Sequence, residues 1–172
     1  MVSGMVTEHT RAEPTALEDL YIRHAPAAVS LAFLITGDGD LARDIAQDAF
    51  VKVAGRFRYR RFPDAFDAYL RRTVTNLCNS HFRKVRIERA FIRREGARGE
   101  SDLDGPDASD RDELRRALGS LPVRQRTAIV LRYYADLSEA AIADALACSV
   151  PAARSLISRG MQTLRTTVEA DR

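Results

Sequence analysis

Two groups of side chains in this 172-residue sequence have the chemistry to hold nucleic acid. Arg154, Ser155, Ser158 and Arg159 fall within two turns of one segment and share a face if that segment is helical. An exposed face of arginines and serines is what a DNA-binding helix presents. Small neighbours such as Ala152 keep such a helix slim enough for a major groove. The second group is the run Arg56-Phe57-Arg58-Tyr59-Arg60-Arg61-Phe62-Pro63, followed by Asn76, Asn79, Arg83 and Lys84. Cations interleaved with rings suit single-stranded nucleic acid, the arginines following phosphates and the rings receiving unstacked bases. Asn76 and Asn79 suit base edges. Part of the run can instead pack inward, and basic amphipathic helices also bind membranes or acidic proteins.

These groups must be positioned by helices. In Leu137–Arg165, Ile142, Ala143, Leu146 and Ala147 recur at helical spacing after Ser138, a good N-cap with Glu139 in the first turn. Ala147-Cys148-Ser149 breaks the pattern. Ser149 can cap a second helix whose first turn accepts Pro151, with Val150, Ala153, Ile157, Met161 and Leu164 inward and Ala152, Arg154, Ser155, Ser158, Arg159 and Gln162 outward. A short helix, a turn of about three to four residues and a second helix with an exposed Arg/Ser face read as a helix-turn-helix. The competing reading is an αα-corner with a solvated charged face.

Upstream, residues 15–35 form a first helix with Leu17, Leu20, Tyr21, His24, Ala28, Leu31, Leu34 and Ile35 on one stripe and a kink or break expected at Pro26. His24 reads as a packed or half-exposed histidine rather than a metal ligand. Thr36-Gly37-Asp38-Gly39-Asp40 is a turn and cap. A second helix, 41–57, buries Leu41, Ile45, Ala49, Val53 and Phe57 and shows Arg43, Asp44, Gln47, Asp48 and Lys52, a solvated patch or a docking face. A third runs from Pro63-Asp64 to about Arg94, with Phe66, Tyr69, Leu70, Thr73, Val74, Leu77 and Phe82 inward. Its polar face carries Arg71, Arg72, Thr75, Asn76, Asn79, His81, Arg83, Lys84, Arg86 and Arg89. Later, Leu114, Ala117, Leu118 and Leu121 line a short helix. Pro122 starts another with Ile129, Val130, Tyr133 and Tyr134 inward and Arg124, Arg126 and Arg132 outward.

The expected fold is all-α, with two small helical domains joined by a flexible acidic linker. The boundaries are a disordered tail at 1–14, a first domain at 15–94, the linker at 95–110 and a second domain at 111–169. The linker stretch is rich in Gly, Asp and Ser and almost lacks apolar residues. Net charge is +3, yet 14 basic and 4 acidic residues lie between Lys52 and Arg98, a block of +10 that suggests a polyanion-binding surface. The 2 cysteines, Cys78 and Cys148, form no disulfide framework or zinc site and fit a reducing cytoplasm. The N-terminal segment is not a signal peptide, and the longest apolar run, near 27–35, is too short to span a bilayer.

The order of these blocks resembles the bacterial sigma factors. LYIRHAPAAVSLAFLITGDGDLARDIAQDAFVKV is similar to their first block, FPDAFDAYLRRTVTNLCNSHFRK to their promoter-melting block, and LRRALGSLPVRQRTAIVLRYYADLSEAAIADALACSVPAARSLISRGMQTLR to their carboxy-terminal helix-turn-helix domain. The size and the missing middle domain resemble the extracytoplasmic-function class, and TGDGDLA and AYLRRTVTNLC its actinobacterial SigE-type group. The resemblance implies a sigma region 2 helical bundle, a region 4 helix-turn-helix, and core RNA polymerase, promoter DNA and an anti-sigma factor as partners. Asp44, Gln47, Asp48 and Lys52 would dock on the clamp helices of the largest polymerase subunit, and the second domain on the flap of the second subunit. Arg58, Tyr59, Arg60, Arg61, Asn76, Asn79, Arg83 and Lys84 would recognise and melt the minus ten element. Arg154, Ser155, Ser158 and Arg159 would read the minus thirty-five element. The linker would thread toward the RNA exit path. No catalytic residue, metal, cofactor or membrane insertion is expected, and the protein would work in the cytoplasm with polymerase on the nucleoid.

The chain departs from the family pattern at Pro151-Ala152-Ala153-Arg154-Ser155-Leu156, where Gly-Thr-Val-Lys/Arg-Ser-Arg is usual, and at Val53-Ala54-Gly55-Arg56, where a tryptophan is common. The alternative function is a stand-alone helix-turn-helix regulator. Such proteins usually dimerise on palindromic half-sites, and the sequence has neither a dimerisation heptad nor a ligand domain. An enzyme acting on nucleic acid would need an acidic metal cluster, a His/Cys constellation or a phosphate-binding glycine loop, none of which is present.

Overall fold

Helix α1, Ala16–Thr36, begins with Glu18 and Asp19 in its first turn, where carboxylates oppose the positive end of the helix dipole. It runs through Pro26 without the expected break. Pro26 lies on the exposed side, where water can serve the carbonyl that loses its amide partner. The helix stops at Gly37, whose φ of +76° is left-handed backbone that glycine adopts without strain. Asp38 then caps helix α2, Gly39–Phe57, its Oδ1 accepting from the amides of Asp40 and Leu41 at 2.9 and 3.0 Å. Helix α3 spans Pro63–Arg94.

The second group comprises α4, Asp110–Gly119; α5, Val123–Tyr133; α6, Glu139–Ala145; and α7, Val150–Ala170. This computed structural model describes residues 16–57, 63–94 and 110–170; among them every regular element is a helix. The basic-aromatic positions Arg58, Tyr59, Arg60 and Arg61, the tail at 1–14 and most of the acidic stretch lie outside the described residues.

Apolar periodicity explains the packing. Leu31, Ala32 and Ile35 of α1, Ala42, Ile45, Ala49 and Val53 of α2, and Phe66, Leu70, Val74 and Cys78 of α3 form one core. Burial pushes the Cys78 thiol up to about 12, so it stays protonated and inert at neutral pH. An aromatic ladder joins the three helices: Tyr21 meets Phe50 edge-on at 4.9 Å, Phe50 meets Phe66 at 5.6 Å, and His24 tilts against Phe66 at 5.3 Å. In the second group Ala117, Leu118, Leu121, Ala128, Ile129, Leu131, Ile142, Leu146 and Ala153 are buried. Gly160 lets α7 approach α5 closely, since a Cβ there would stand 2.8 Å from Ile129 Cγ1.

Several inward and outward assignments change. Tyr69, Leu114, Tyr133 and Tyr134 are exposed rather than buried, and Val150 is also exposed. Thr75, expected on the polar face of α3, is buried and donates its hydroxyl to the Arg71 carbonyl at 2.9 Å. Ala147 leaves the apolar stripe of α6 because the chain turns there with a φ of +48°. Arg126, expected outward, is 5% exposed.

That arginine joins the two groups. Its Nη1 donates to the Ile35 carbonyl at the end of α1 (3.1 Å), and its Nη2 to the carbonyls of Gly119, the last residue of α4 (3.4 Å), and Leu121 just beyond it (3.2 Å). Here α1 packs on α5, and α3 touches α6. Arg72 of α3 pairs with Asp144 of α6 at 3.5 Å. A crevice of about 200 Å³ remains between the groups, lined by His24, Leu31, Asp67, Arg71, Tyr134 and Asp136. No single helix among the described residues is long and apolar enough to cross a membrane.

Candidate nucleic-acid interface

The corner between α6 and α7 is built by two serine caps and a turn. Ser138 Oγ accepts from the Ala141 amide at 3.2 Å, and Ser149 Oγ from the Ala152 amide at 3.3 Å, so both expected caps are present. Between α6 and α7 the axis bends by 98° across Leu146–Ser149. Arg124 of α5 donates to the Leu146 carbonyl at 3.0 Å and holds the turn down. The buried face of α6 and Ala153 of α7 leave the outer side of α7 to solvent.

On that side Ser158 and Arg159 are exposed, and Ser155 is half-buried. Arg159 Nε donates to the Ser155 carbonyl of its own helix at 3.3 Å. Arg154 is exposed but not loose. Glu139, in the first turn of α6, accepts from its Nε and Nη2, the shortest contact being 2.7 Å. Hydrogen bonding from Arg154 holds the Glu139 carboxyl below the usual carboxylate range, and the same bond raises the Arg154 guanidinium above its ordinary value. Leu156, which stands where the family pattern has a basic residue, packs half-buried against the core. Glu139 is the residue that sequence reasoning missed. Its carboxylate carried no signal beyond that of a helix first turn, and its partner lies 15 residues away.

On α3, Asn76, Arg83 and Lys84 are exposed and Asn79 is half-buried. Arg72, Asn76, Asn79 and Arg83 follow one another at four- and three-residue steps and form a stripe along the helix. Its first member is the one paired with Asp144. On α2, Asp44, Gln47, Asp48 and Lys52 are all exposed along one face, with exposed Val51 among them. A single exposed apolar side chain of this kind is ordinary on a protein surface and does not decide between solvation and docking. His24 is half-buried, with Nδ1 3.5 Å from Asp67 Oδ1, while Arg71 pairs with the same carboxylate. The described residues hold no cluster of three metal-type ligands.

Residues 20–87 match the family model described as Sigma-70 region 2, and residues 111–164 match Sigma-70, region 4. The chain is 32% identical over 153 residues to the RNA polymerase sigma factor CarQ of Myxococcus xanthus, covering 87% of each protein. It is 30% identical over 154 residues to the ECF RNA polymerase sigma factor SigE of Mycolicibacterium smegmatis, covering 86% of this chain and 60% of that relative. In fold it is similar to the sigma factor RpoE of Bartonella quintana, solved in complex with the anti-sigma factor NepR, with a TM-score of 0.70, 24% identity, and 90% and 97% of the two chains covered. The chain belongs to the sigma-70 family of RNA polymerase sigma factors. Within that family it stands with the extracytoplasmic-function class, and the stand-alone regulator reading is not favoured.

Proposed function

We propose that this sigma factor divides its work among three faces. The α2 face of Asp44, Gln47, Asp48 and Lys52 docks core polymerase on the clamp helices of its largest subunit, and the second helical group contacts the flap of the second subunit. The α3 stripe of Asn76, Asn79, Arg83 and Lys84, with Arg58–Arg61 before it, captures and melts the minus ten element. Arg154, Ser155, Ser158 and Arg159 read the minus thirty-five element. Residues 15–94 act as region 2, 95–110 as the linker and 111–169 as region 4. The protein is a non-catalytic initiation factor that needs no cofactor, acts in the cytoplasm, and is held in check by an anti-sigma factor, as RpoE is bound by NepR in the similar complex. The observation that carries this reading is the exposed Arg/Ser face of α7, set at 98° to α6 by a capped turn.

The two DNA faces also imply opening. With Arg72 paired to Asp144 the two groups sit side by side, and engaging two separate promoter elements at once draws α3 away from α6.

The test is reconstitution of the full chain with core polymerase from a related bacterium on a genomic promoter library. Promoter-specific transcripts that need both components are expected. The double variant Asp44→Arg, Asp48→Arg should keep its circular dichroism spectrum and lose at least about tenfold in core binding. Tight duplex binding without core, and no transcripts, would overturn the reading.

A further inference from the structure

Glu139 places an acidic group on the face that is read here as the DNA surface. A carboxylate there repels phosphates, so it does not serve affinity. Both side chains of the Glu139–Arg154 pair are exposed, at 36% and 66%, and exposed pairs contribute little to stability. What the pair does is orient. Arg154 Nε lies 3.2 and 3.0 Å from Glu139 Oε1 and Oε2, and Nη2 lies 2.7 Å from Oε2. A guanidinium has five N–H groups. Glu139 takes the Nε hydrogen and the Nη2 hydrogen beside it. The end-on edge, one hydrogen each from Nη1 and Nη2, remains free, and two parallel donors of that spacing match O6 and N7 of guanine.

We propose that Glu139 is a positioning residue that aims the end-on edge of Arg154 at a guanine of the upstream promoter element, making Arg154 a base reader rather than a phosphate contact. The proposal rests on the assignment of α7 to the major groove. An unanchored arginine must be ordered when it meets a base, whereas an anchored one is ordered beforehand. Arg159, folded back on its own helix at Ser155, has no carboxylate aiming it among the described residues and fits a phosphate contact. The 98° bend is what brings the first turn of α6 beside Arg154 in the second turn of α7.

Removing the carboxylate therefore has two effects of opposite sign. Binding to arbitrary duplex strengthens, because one repulsive charge is gone. Discrimination weakens at one base pair.

The experiment uses holoenzyme assembled from the full chain and core polymerase, on promoter duplexes randomised through the upstream element, with the transcribed templates sequenced. The wild type should show a guanine-restricted position. Glu139→Ala and Arg154→Ala should relax that same position by about tenfold and leave the other positions unchanged. Total duplex retention should rise for Glu139→Ala and fall for Arg154→Ala, and Glu139→Asp should recover part of the guanine preference. An unchanged preference in Glu139→Ala, or an equal loss at every position together with a lower melting temperature, would overturn the proposal. So would a wild type that transcribes from selected promoters without any guanine-restricted position. A wild type giving no promoter-dependent transcript would instead sink the parent reading, and the proposal with it.

Discussion

Phe66→Ala lowers the stability of the folded chain by about 3 to 5 kcal/mol. Phe66 is fully buried on α3 and touches rings from both other helices of its group, Phe50 of α2 and His24 of α1. Truncation removes a large apolar side chain from water-excluded surroundings and leaves a cavity that the surrounding helices close only in part. The ladder through Phe50 to Tyr21 loses its inner member. Set against a typical total stability of about 5 to 15 kcal/mol, the loss is a large share of the whole. Urea denaturation followed by circular dichroism should show a lower midpoint with a similar slope. Because Phe66 packs α3 against α2, the core binding and promoter opening proposed for those two helices should fail together at temperatures where the variant is partly unfolded. A change below about 1 kcal/mol would mean that the three helices are not held by this ladder.

Arg126→Ala costs about 3 kcal/mol. The guanidinium is buried, and burial pulls its proton affinity below the ordinary arginine value. Three carbonyls offset that penalty, those of Ile35, Gly119 and Leu121. Those of Ile35 and Gly119 are helix-end carbonyls that no amide of their own helix can reach, and that of Leu121 lies in the turn between α4 and α5. Alanine leaves all three without this donor, and the cost of unpaired buried acceptors exceeds the modest net value of an ordinary hydrogen bond. Lysine keeps the charge but loses the fork, so Arg126→Lys should recover less than half of the loss. A second effect separates this variant from an ordinary core mutant. The Ile35 carbonyl belongs to the first group and the other two to the second, so Arg126→Ala also weakens the contact between them. Small-angle scattering of the folded variant should give a larger radius of gyration than the wild type. An unchanged radius with reduced stability would show that Arg126 serves the second group alone.

Much of the helical layout was legible in the sequence. The span of α3, the Ser138 and Ser149 caps, the break between α6 and α7, and the exposed faces of α2 and α7 follow from apolar spacing and capping chemistry. These rules act over four residues or fewer. The direction of a side chain at a helix edge obeys no such local rule. Tyr69, Tyr133 and Tyr134 had the right apolar character for the interior but stand at exposed positions. Arg126 is the reverse case. It stands three residues before Ile129 and four before Val130, on the buried stripe of α5, yet its charge argued for solvent.

The local pattern by itself determined which stretches are helices, where they stop, and which polar faces are left to solvent. Tertiary structure alone decided what those polar groups are tied to. The Ile35 carbonyl that receives Arg126 is 91 residues away, and the carboxylate that aims Arg154 is 15 residues away across a 98° bend. A hydrogen-bond acceptor is specified by position in space, and hydrophobic periodicity carries no record of which distant backbone or side chain will arrive there.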